Sequence, residues 1–340
     1  MNPDAFERYS RQILFAGIGE AGQRKLLDAS AVLVGCGALG SAVSDLLARA
    51  GLGRLRIIDR DFVEFSNLPR QTLFDEADAR QSLPKAIAAE RKLRAINSSI
   101  SIEGIVADLT PANALELLSG FSIILDGADN FETRFLVNDA AVRLGVPWIY
   151  GAVVAGYGVT MPIEPGRSAC LACLVENSAN GGFEQTCDTV GVLNSAAAVI
   201  AALESTAAIR QIVGAEPPAG RLIAAHVWQG RFQSIAVRRN PDCPVCVRGE
   251  LRHLEGKVQP HITLCGRDSV QIHQRKRQLD LAELGRRLEH SAIEVKANAY
   301  LLRCRVPPYE LTVFADGRAI IKGTQDPAVA RSLYARYIGA

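Results

Sequence analysis

Two cysteine pairs, Cys170-x-x-Cys173 and Cys243-x-x-Cys246, are the strongest local chemical signal in the sequence. Four thiolates at this spacing suit tetrahedral Zn²⁺, and a site closed by four cysteines has no open position, so the metal there is expected to be structural. A redox C-x-x-C is disfavoured because neither pair sits where a strand feeds a thioredoxin-like helix. Chance spacing is disfavoured because there are two pairs. Zinc would staple a hairpin to later strands and contribute on the order of 10 kcal/mol. Cys187 lies in a polar loop just before a long apolar helix. Either the helix N-terminus lowers its thiol pKa or it is an ordinary packed cysteine. Cys36, Cys265 and Cys304 stand in apolar or strand-like contexts and read as packing residues.

A second set of residues points to a nucleotide. In "ASAVLVGCGALGSAV" a short apolar run leads into Gly35, Gly37 and Gly40 at G-x-G-x-x-G spacing, the phosphate-cradling turn of a Rossmann unit. Asp59 lies 19 residues beyond Gly40, at the end of "RLRIID", where such a unit places a ribose-binding acid. Its plain alternative is a turn residue at a strand end. Both features admit NAD or ATP. The next segments favour a triphosphate: "FSNLPRQ" brings Ser66, Asn67, Arg70 and Gln71, and "LPKA" brings Lys85 to the first turn of a helix. Two cations and an amide near a helix-terminal phosphate site exceed what a pyrophosphate usually meets, although each residue alone also reads as solvated surface. In "ILDGADNFETR", Asp126 and Asp129 end a strand and Asn130 begins a helix. Asp129 or Asn130 is a helix N-cap, and Asp129 at the carboxyl edge of a sheet is a candidate Mg²⁺ ligand; neighbouring residues can divide these roles.

These residues need a scaffold, and the chain supplies one in alternation. "AVLV", "RLRIID", "ISIEGI", "FSIILD" and "PWIYGAV" read as strands, separated by helical stretches at 39–51, 84–96, 111–119 and 131–144. This pattern predicts a mainly parallel sheet with helices on both faces. Beyond residue 150 the grammar changes to a Gly- and Pro-punctuated hairpin, a polar loop at 176–189, a long apolar helix at 191–213 and two further strands. The charged stretch 247–257 reads as a linker. Residues 258–340 show several strands, a helix near 279–289, an "ADG" turn at 315–317 and a terminal helix near 326–337, a small α+β appendage. The expected domains are therefore 1–250, carrying the nucleotide and zinc sites, and 251–340.

Composition narrows the class further. With 340 residues, 48% hydrophobic and 22% charged, the chain is expected to fold as about two ordinary domains. A net charge of +2 creates no global field for nucleic acid or a membrane surface. The opening residues lack the apolar run and cleavage site of a signal segment, and the apolar stretch 195–209 is broken by Glu204, Ser205 and Thr206, so a cytoplasmic location is expected.

Taken in order, "RYSRQILFAGIGEAGQRKL", "VLVGCGALGSAV", "IIDRDFVEFSNLPRQTLF", "LPKA", "LDGADNFETR", "CLACL", "TCDTVGVL" and "NPDCPVC" resemble the ThiF/MoeB/HesA adenylyltransferases, bacterial relatives of ubiquitin-activating enzymes. The resemblance runs over roughly residues 5 to 250. It implies a reaction in which ATP and the C-terminal Gly-Gly carboxylate of a ubiquitin-like sulfur-carrier protein give an acyl-adenylate and pyrophosphate. The carrier carboxylate is already ionised at neutral pH, so catalysis reduces to positioning and charge stabilisation. That agrees with an inventory of cations and a metal-binding acid without a Ser/His or Cys/His pairing. The resemblance also implies that Asp59 holds ribose, that Asn67, Arg70 and Lys85 hold phosphates, and that Asp129 holds Mg²⁺. Gly35, Gly37, Ala38, Gly40, Asp61, Ser66, Gln71 and Asn130 complete the expected nucleotide contacts. Ala38 and Pro69 stand where some relatives have Gly and Gln, and neither change removes a group the reaction needs.

Arg11 matches an arginine that relatives place on the partner subunit's ATP, which implies a homodimer. Cys187 matches a loop cysteine linked to sulfur transfer in the thiamine-thiazole branch; in the molybdopterin branch the adenylate passes to a separate sulfur donor. The tail and "TCDTVGVL" look more like the thiazole branch, with a ThiS-type carrier expected over a MoaD-type one and a sulfurtransferase as a further partner. "HQRKRQ" at 273–278 reads as a solvated loop, or, through Arg275, Lys276 and Arg277, as a dock for an acidic carrier. A nicotinamide or flavin oxidoreductase would explain the glycines and Asp59 but leave Arg70, Lys85 and the cysteine pairs unused. A catalytically silent nucleotide scaffold is disfavoured because no phosphate-handling side chain is missing.

Overall fold

The apolar runs become the strands of a doubly wound sheet. A computed structural model describes residues 3–176, 191–215, 220–258, 269–272, 279–289, 292 and 294–339. Strands β1 (Ser30–Val34), β2 (Arg54–Asp59), β3 (Ser101–Val106), β4 (Ile123–Asp126), β5 (Trp148–Val154), β6 (Tyr157–Ile163), β7 (Arg221–His226) and β8 (Arg231–Ala236) form one sheet in the order β3-β2-β1-β4-β5-β6-β7-β8. The first five are parallel and the last three antiparallel. Val34 of β1 pairs with Ile58 on one side and Asp126 on the other, so β1, β2 and β4 end at one level. The strand order reverses direction between β1 and β4, the position where open α/β sheets bind ligands.

Alternation along each strand sends side chains to opposite faces, and each face has its own core. Leu33, Leu55, Ile57, Ile123 and Leu125 pack with Val43 and Leu47 of the helix Ala38–Ala50 and with Ile200 and Ala201 of the helix Asn194–Val213. Val32, Val34, Ile58 and Ile124 pack on the other face with Leu136 and Val137 of the helix Phe131–Leu144. The helix Asn194–Val213 is long and apolar enough to cross a membrane by length and composition. In the fold it lies against Ala38–Ala50, β5 and β6, with Ile200, Ala201 and Glu204 fully buried.

The chain falls into two compact units, Met1–Val258 and Gln259–Ala340. The stretch read as a linker belongs to the first unit. Leu251 and Leu254 are buried in its core, the Asp139 carboxylate accepts the N–H groups of His253 and Leu254, and the His253 ring stacks on Phe135 at 5.0 Å. The charges between these anchors gave the segment its solvated look. In the second unit, β9 (Ser269–Ile272), β10 (Glu294–Ala297), β11 (Leu301–Val306), β12 (Tyr309–Phe314) and β13 (Ala319–Lys322) form an antiparallel sheet in the order β10-β11-β12-β13-β9. The helices Leu281–Leu288 and Pro327–Tyr337, N-capped by Asp280 and Asp326, cover its core. Cys36 and Cys304 are packing residues in the two units; Cys265 lies outside the described residues.

Candidate active site

Backbone contact builds the floor of a crevice at the carboxyl ends of β1 to β4. Gly35 N–H continues the ladder to Ile58 O and Gly127 N–H to Val34 O. Gly35, Gly40 and Gly127 then meet without side chains: a Cβ on Gly40 or Gly127 would lie 2.1 Å from Gly35 O, and one on Gly35, which has φ +88°, 2.4 Å from Gly127 O. Gly37 differs, because among the described residues a Cβ there would meet only Gln71 Nε2, at 3.9 Å. No internal packing demands a glycine at 37; its bare backbone faces the space a ligand would use. Gly37 is also the N-cap of the helix Ala38–Ala50 and has no side chain to cap it, so first-turn N–H groups are available to an anion.

Charge gathers around this floor. The crevice is lined by Gly35, Gly37, Asp59, Arg60, Asp61, Lys85, Asp108, Asp129 and Asn130, among others. Asp59 Oδ2 accepts the Cys36 N–H at 2.6 Å and Oδ1 the Asp61 N–H at 2.7 Å, so the acid at the end of β2 also fixes the glycine turn. Burial pushes its carboxyl up; Lys85 pulls it down and Asp61 pushes it up again. Lys85, buried at the start of the helix Lys85–Ile96, pairs with Asp61 Oδ2 at 3.1 Å. Asn130 caps the helix Phe131–Leu144 by accepting the Thr133 N–H, which leaves Asp129, exposed and beside it, facing the crevice. Arg60 and Asp108 were not singled out in the sequence. Arg60 Nη1 lies 3.1 Å from Asp108 Oδ1; burial pulls the guanidinium down, but Asp108, Asp61, Asp129 and Asp59 together hold it above its usual value.

Other expected contacts lie outside this lining. Ala38 and Gly40 sit in the helix behind the floor. Ser66 and Asn67 form a short 3-10 turn, where Ser66 O accepts from Arg70 Nη1 at 2.7 Å. Asn67 Nδ2 and Gln71 Oε1 are buried without a hydrogen-bond partner among the described residues. Arg11 is exposed on the helix Pro3–Ile13. Cys187 and the 273–278 basic run lie outside the described residues.

A buried network ties the β4 turn to β5 and to the helix Asn194–Val213. Arg134 donates to Asp126 Oδ2, Ala128 O and Gly151 O, and Asp126 Oδ1 accepts the Ala128 N–H. Burial pushes Asp126 up to about 6. Glu204 Oε1 accepts the Asp126 N–H at 3.0 Å; burial, then the Asp126 charge, push its carboxyl well above the usual range. In sequence Glu204 read only as a polar break in an apolar helix.

The four paired cysteines converge. Cys170 and Cys173, around the start of the helix Leu171–Glu176, meet Cys243 and Cys246 from the turn after β8, with Sγ separations of 3.9, 3.7 and 3.6 Å for 170–173, 170–243 and 173–246. All four sulfurs lie within 4.8 Å of one another. A tetrahedral ion with Zn–S bonds of about 2.3 Å spaces its sulfurs by about 3.8 Å, whereas a disulfide needs about 2.05 Å. The set therefore fits a metal. Arg239 donates to Gly166 O and Cys246 O and the Asn240 N–H to Cys173 Sγ, outer contacts that orient the loop.

The ThiF family model matches residues 9–245. The sulfur carrier protein ThiS adenylyltransferase of Bacillus subtilis is 44% identical over 337 residues, 98% of this chain and 99% of the relative. The sulfur carrier protein adenylyltransferase of Thermus thermophilus is 38% identical over 249 residues, 72% of this chain and 91% of the relative. The crystal structure of E. coli MccB with ATP matches with a TM-score of 0.62 and 28% identity, covering 70% of this chain and 74% of that one.

Proposed function

The chain belongs to the ThiF family, and from that premise we propose that it is a nucleotidyltransferase that adenylates the C-terminal glycine carboxylate of a ubiquitin-like sulfur-carrier protein. A carboxylate oxygen of the carrier attacks the α-phosphorus of ATP, the bond from that phosphorus to the bridging oxygen breaks, and pyrophosphate leaves with its electron pair. The observation that carries the reading is the crevice itself: a bare Gly37 and an uncapped helix end, ringed by Asp59, Asp61, Lys85 and Asp129 at the reversal point of the sheet. Asp59 holds the ribose, Lys85 and Arg70 the phosphates with Asn67, and Asp129 the Mg²⁺ that offsets phosphate charge. Cys170, Cys173, Cys243 and Cys246 hold a structural Zn²⁺.

The near full-length likeness to a ThiS adenylyltransferase supports a ThiS-type carrier and the thiazole route to thiamine over a MoaD-type carrier. On the family resemblance, the active unit is a cytoplasmic homodimer in which Arg11 reaches the partner's nucleotide, and Cys187 takes part in a later sulfur step with a sulfurtransferase. The test is ATP–pyrophosphate exchange with each carrier in turn. Exchange is expected with a ThiS-type carrier and not with the same carrier lacking its last glycine. Exchange only with a MoaD-type carrier would move the protein to the molybdopterin route. Tight NADH binding without exchange would overturn the reading.

A further inference from the structure

The crevice continues beyond the residues that the reaction uses, along the carboxyl edge from β1 through β2 to β3. Phosphates bind at the glycine turn after β1 and ribose at the acid ending β2. Adjacent strands lie about 4.8 Å apart, so a nucleoside laid out in that sense carries its base past β2, over the ends of β2 and β3. The residues lining the crevice there are Arg60, Ala107, Asp108 and Leu109. Asp108 is a fixed acceptor: its backbone carbonyl takes the Asn113 Nδ2 hydrogen bond at 2.9 Å, Asn113 Oδ1 takes the Thr110 N–H, and the Asp108 carboxylate pairs with Arg60. A carboxylate offers about four lone-pair positions, so pairing with Arg60 is compatible with accepting from a ligand. Arginine's planar cation is suited to lie against a π face.

We propose that Asp108 selects the purine: its carboxylate accepts a hydrogen bond from the 6-amino group of adenine, while Arg60, held by that carboxylate, packs against the face of the base. The assignment rests on the adenylation reading and adds to it how ATP is told from other purine nucleotides. A 6-oxo purine presents a carbonyl oxygen to Asp108, two acceptors with no proton between them. An adenine presents an N–H. A hydrogen bond to a charged group of this kind corresponds to roughly ten- to hundredfold in affinity.

The experiment compares ATP with ITP, which differs at C6, by calorimetric binding and by carrier-dependent pyrophosphate exchange in the full chain. The wild type is expected to favour ATP about tenfold or more. Asp108→Asn, whose amide oxygen can still accept from the 6-amino group and whose NH₂ can donate to O6, should collapse that ratio, chiefly by strengthening ITP. Arg60→Gln should weaken both nucleotides alike and keep the ratio. If Asp108→Asn fails to fold, the triphosphate of 6-chloropurine riboside, which has no N–H at C6, gives the same test on the wild type and should bind about tenfold weaker than ATP or worse. Equal use of ATP and ITP by the wild type, or an unchanged ratio in Asp108→Asn, overturns the role of Asp108. No exchange with any nucleotide or carrier overturns the adenylation reading instead.

Discussion

Asp129 and Asn130 are neighbours with the same sequence-level claim to a helix cap, and the turn separates their work. Asn130 takes the Thr133 N–H, while Asp129 is exposed at the crevice. Asn130→Ala should therefore cost about 1 kcal/mol of stability, measured by urea unfolding, as other lost N-caps do. Asp129→Ala should leave the unfolding midpoint where it was and lower ATP–pyrophosphate exchange by on the order of 10²-fold or more. Equal stability losses in the two variants would place the cap on both residues. The glycines, Asp59, Lys85 and Asp129 were legible because family spacing and strand ends mark them. Arg60 and Asp108 were not, because each is a charged residue just past its own strand with no motif to mark it. They meet only because β2 and β3 are neighbours in the sheet, a fact carried by no local spacing.

Helices and strands were largely legible because apolar periodicity reports which face is buried, yet the close approaches between elements were not. Gly127 read as part of an acidic strand end, although it must lack a side chain for the β4 turn to pass Gly35. Gly127→Ala should force the β1 and β4 turns apart and lower stability by about 1–3 kcal/mol, the usual cost of overpacking. Gly37→Ala should fold normally, since its Cβ would make only an ordinary contact with Gln71 Nε2 among the described residues, and lose nucleotide affinity instead; calorimetric titration with ATP and thermal melting separate the two outcomes. Between elements, Asp139 ties the helix Phe131–Leu144 to His253 and Leu254, and burial pushes its carboxyl up to about 6 against the pull of those N–H groups. The unfolded value is about 3.9, so the folded state binds the proton more tightly. Stability contributed by this group rises as pH falls from above 6 towards 4, and its charged form costs stability above that window. Asp139→Asn should flatten the rise of the urea midpoint between about pH 6 and 4, leaving the part due to the other raised carboxyls, Asp126, Glu204 and Asp59. An unchanged pH profile would show that Asp139 is solvated enough to titrate normally.

At the scale of the whole molecule, the crevice, the four cysteines and both faces of the large sheet lie within Met1–Val258. The second unit has a separate core built on Leu284, Leu302, Leu311 and Val313. A Thermus thermophilus relative reaches 91% of its length in the 249 residues it shares with this chain, which leaves little room in it for a counterpart of Gln259–Ala340. On the proposed function, a chain ending at Val258 should therefore bind zinc as the full chain does, measured by atomic absorption, and keep carrier-dependent exchange within a few-fold of the full chain. The choice of end matters, because the charged stretch after the second cysteine pair carries two core leucines. Ending at Glu250 removes Leu251 and Leu254 and leaves the Asp139 carboxylate without its two N–H donors. Losing even one buried leucine side chain costs about 2–5 kcal/mol, so the shorter chain should melt several degrees below the one ending at Val258, since each kcal/mol is worth about 2–4 °C in a unit of this size. The cysteine cluster sits on the same face of the sheet as those leucines, so the shorter chain should also yield a metal held there to a chelator sooner. Equal melting points for the two truncations would mean that 251–258 only covers the first unit and does not hold it together.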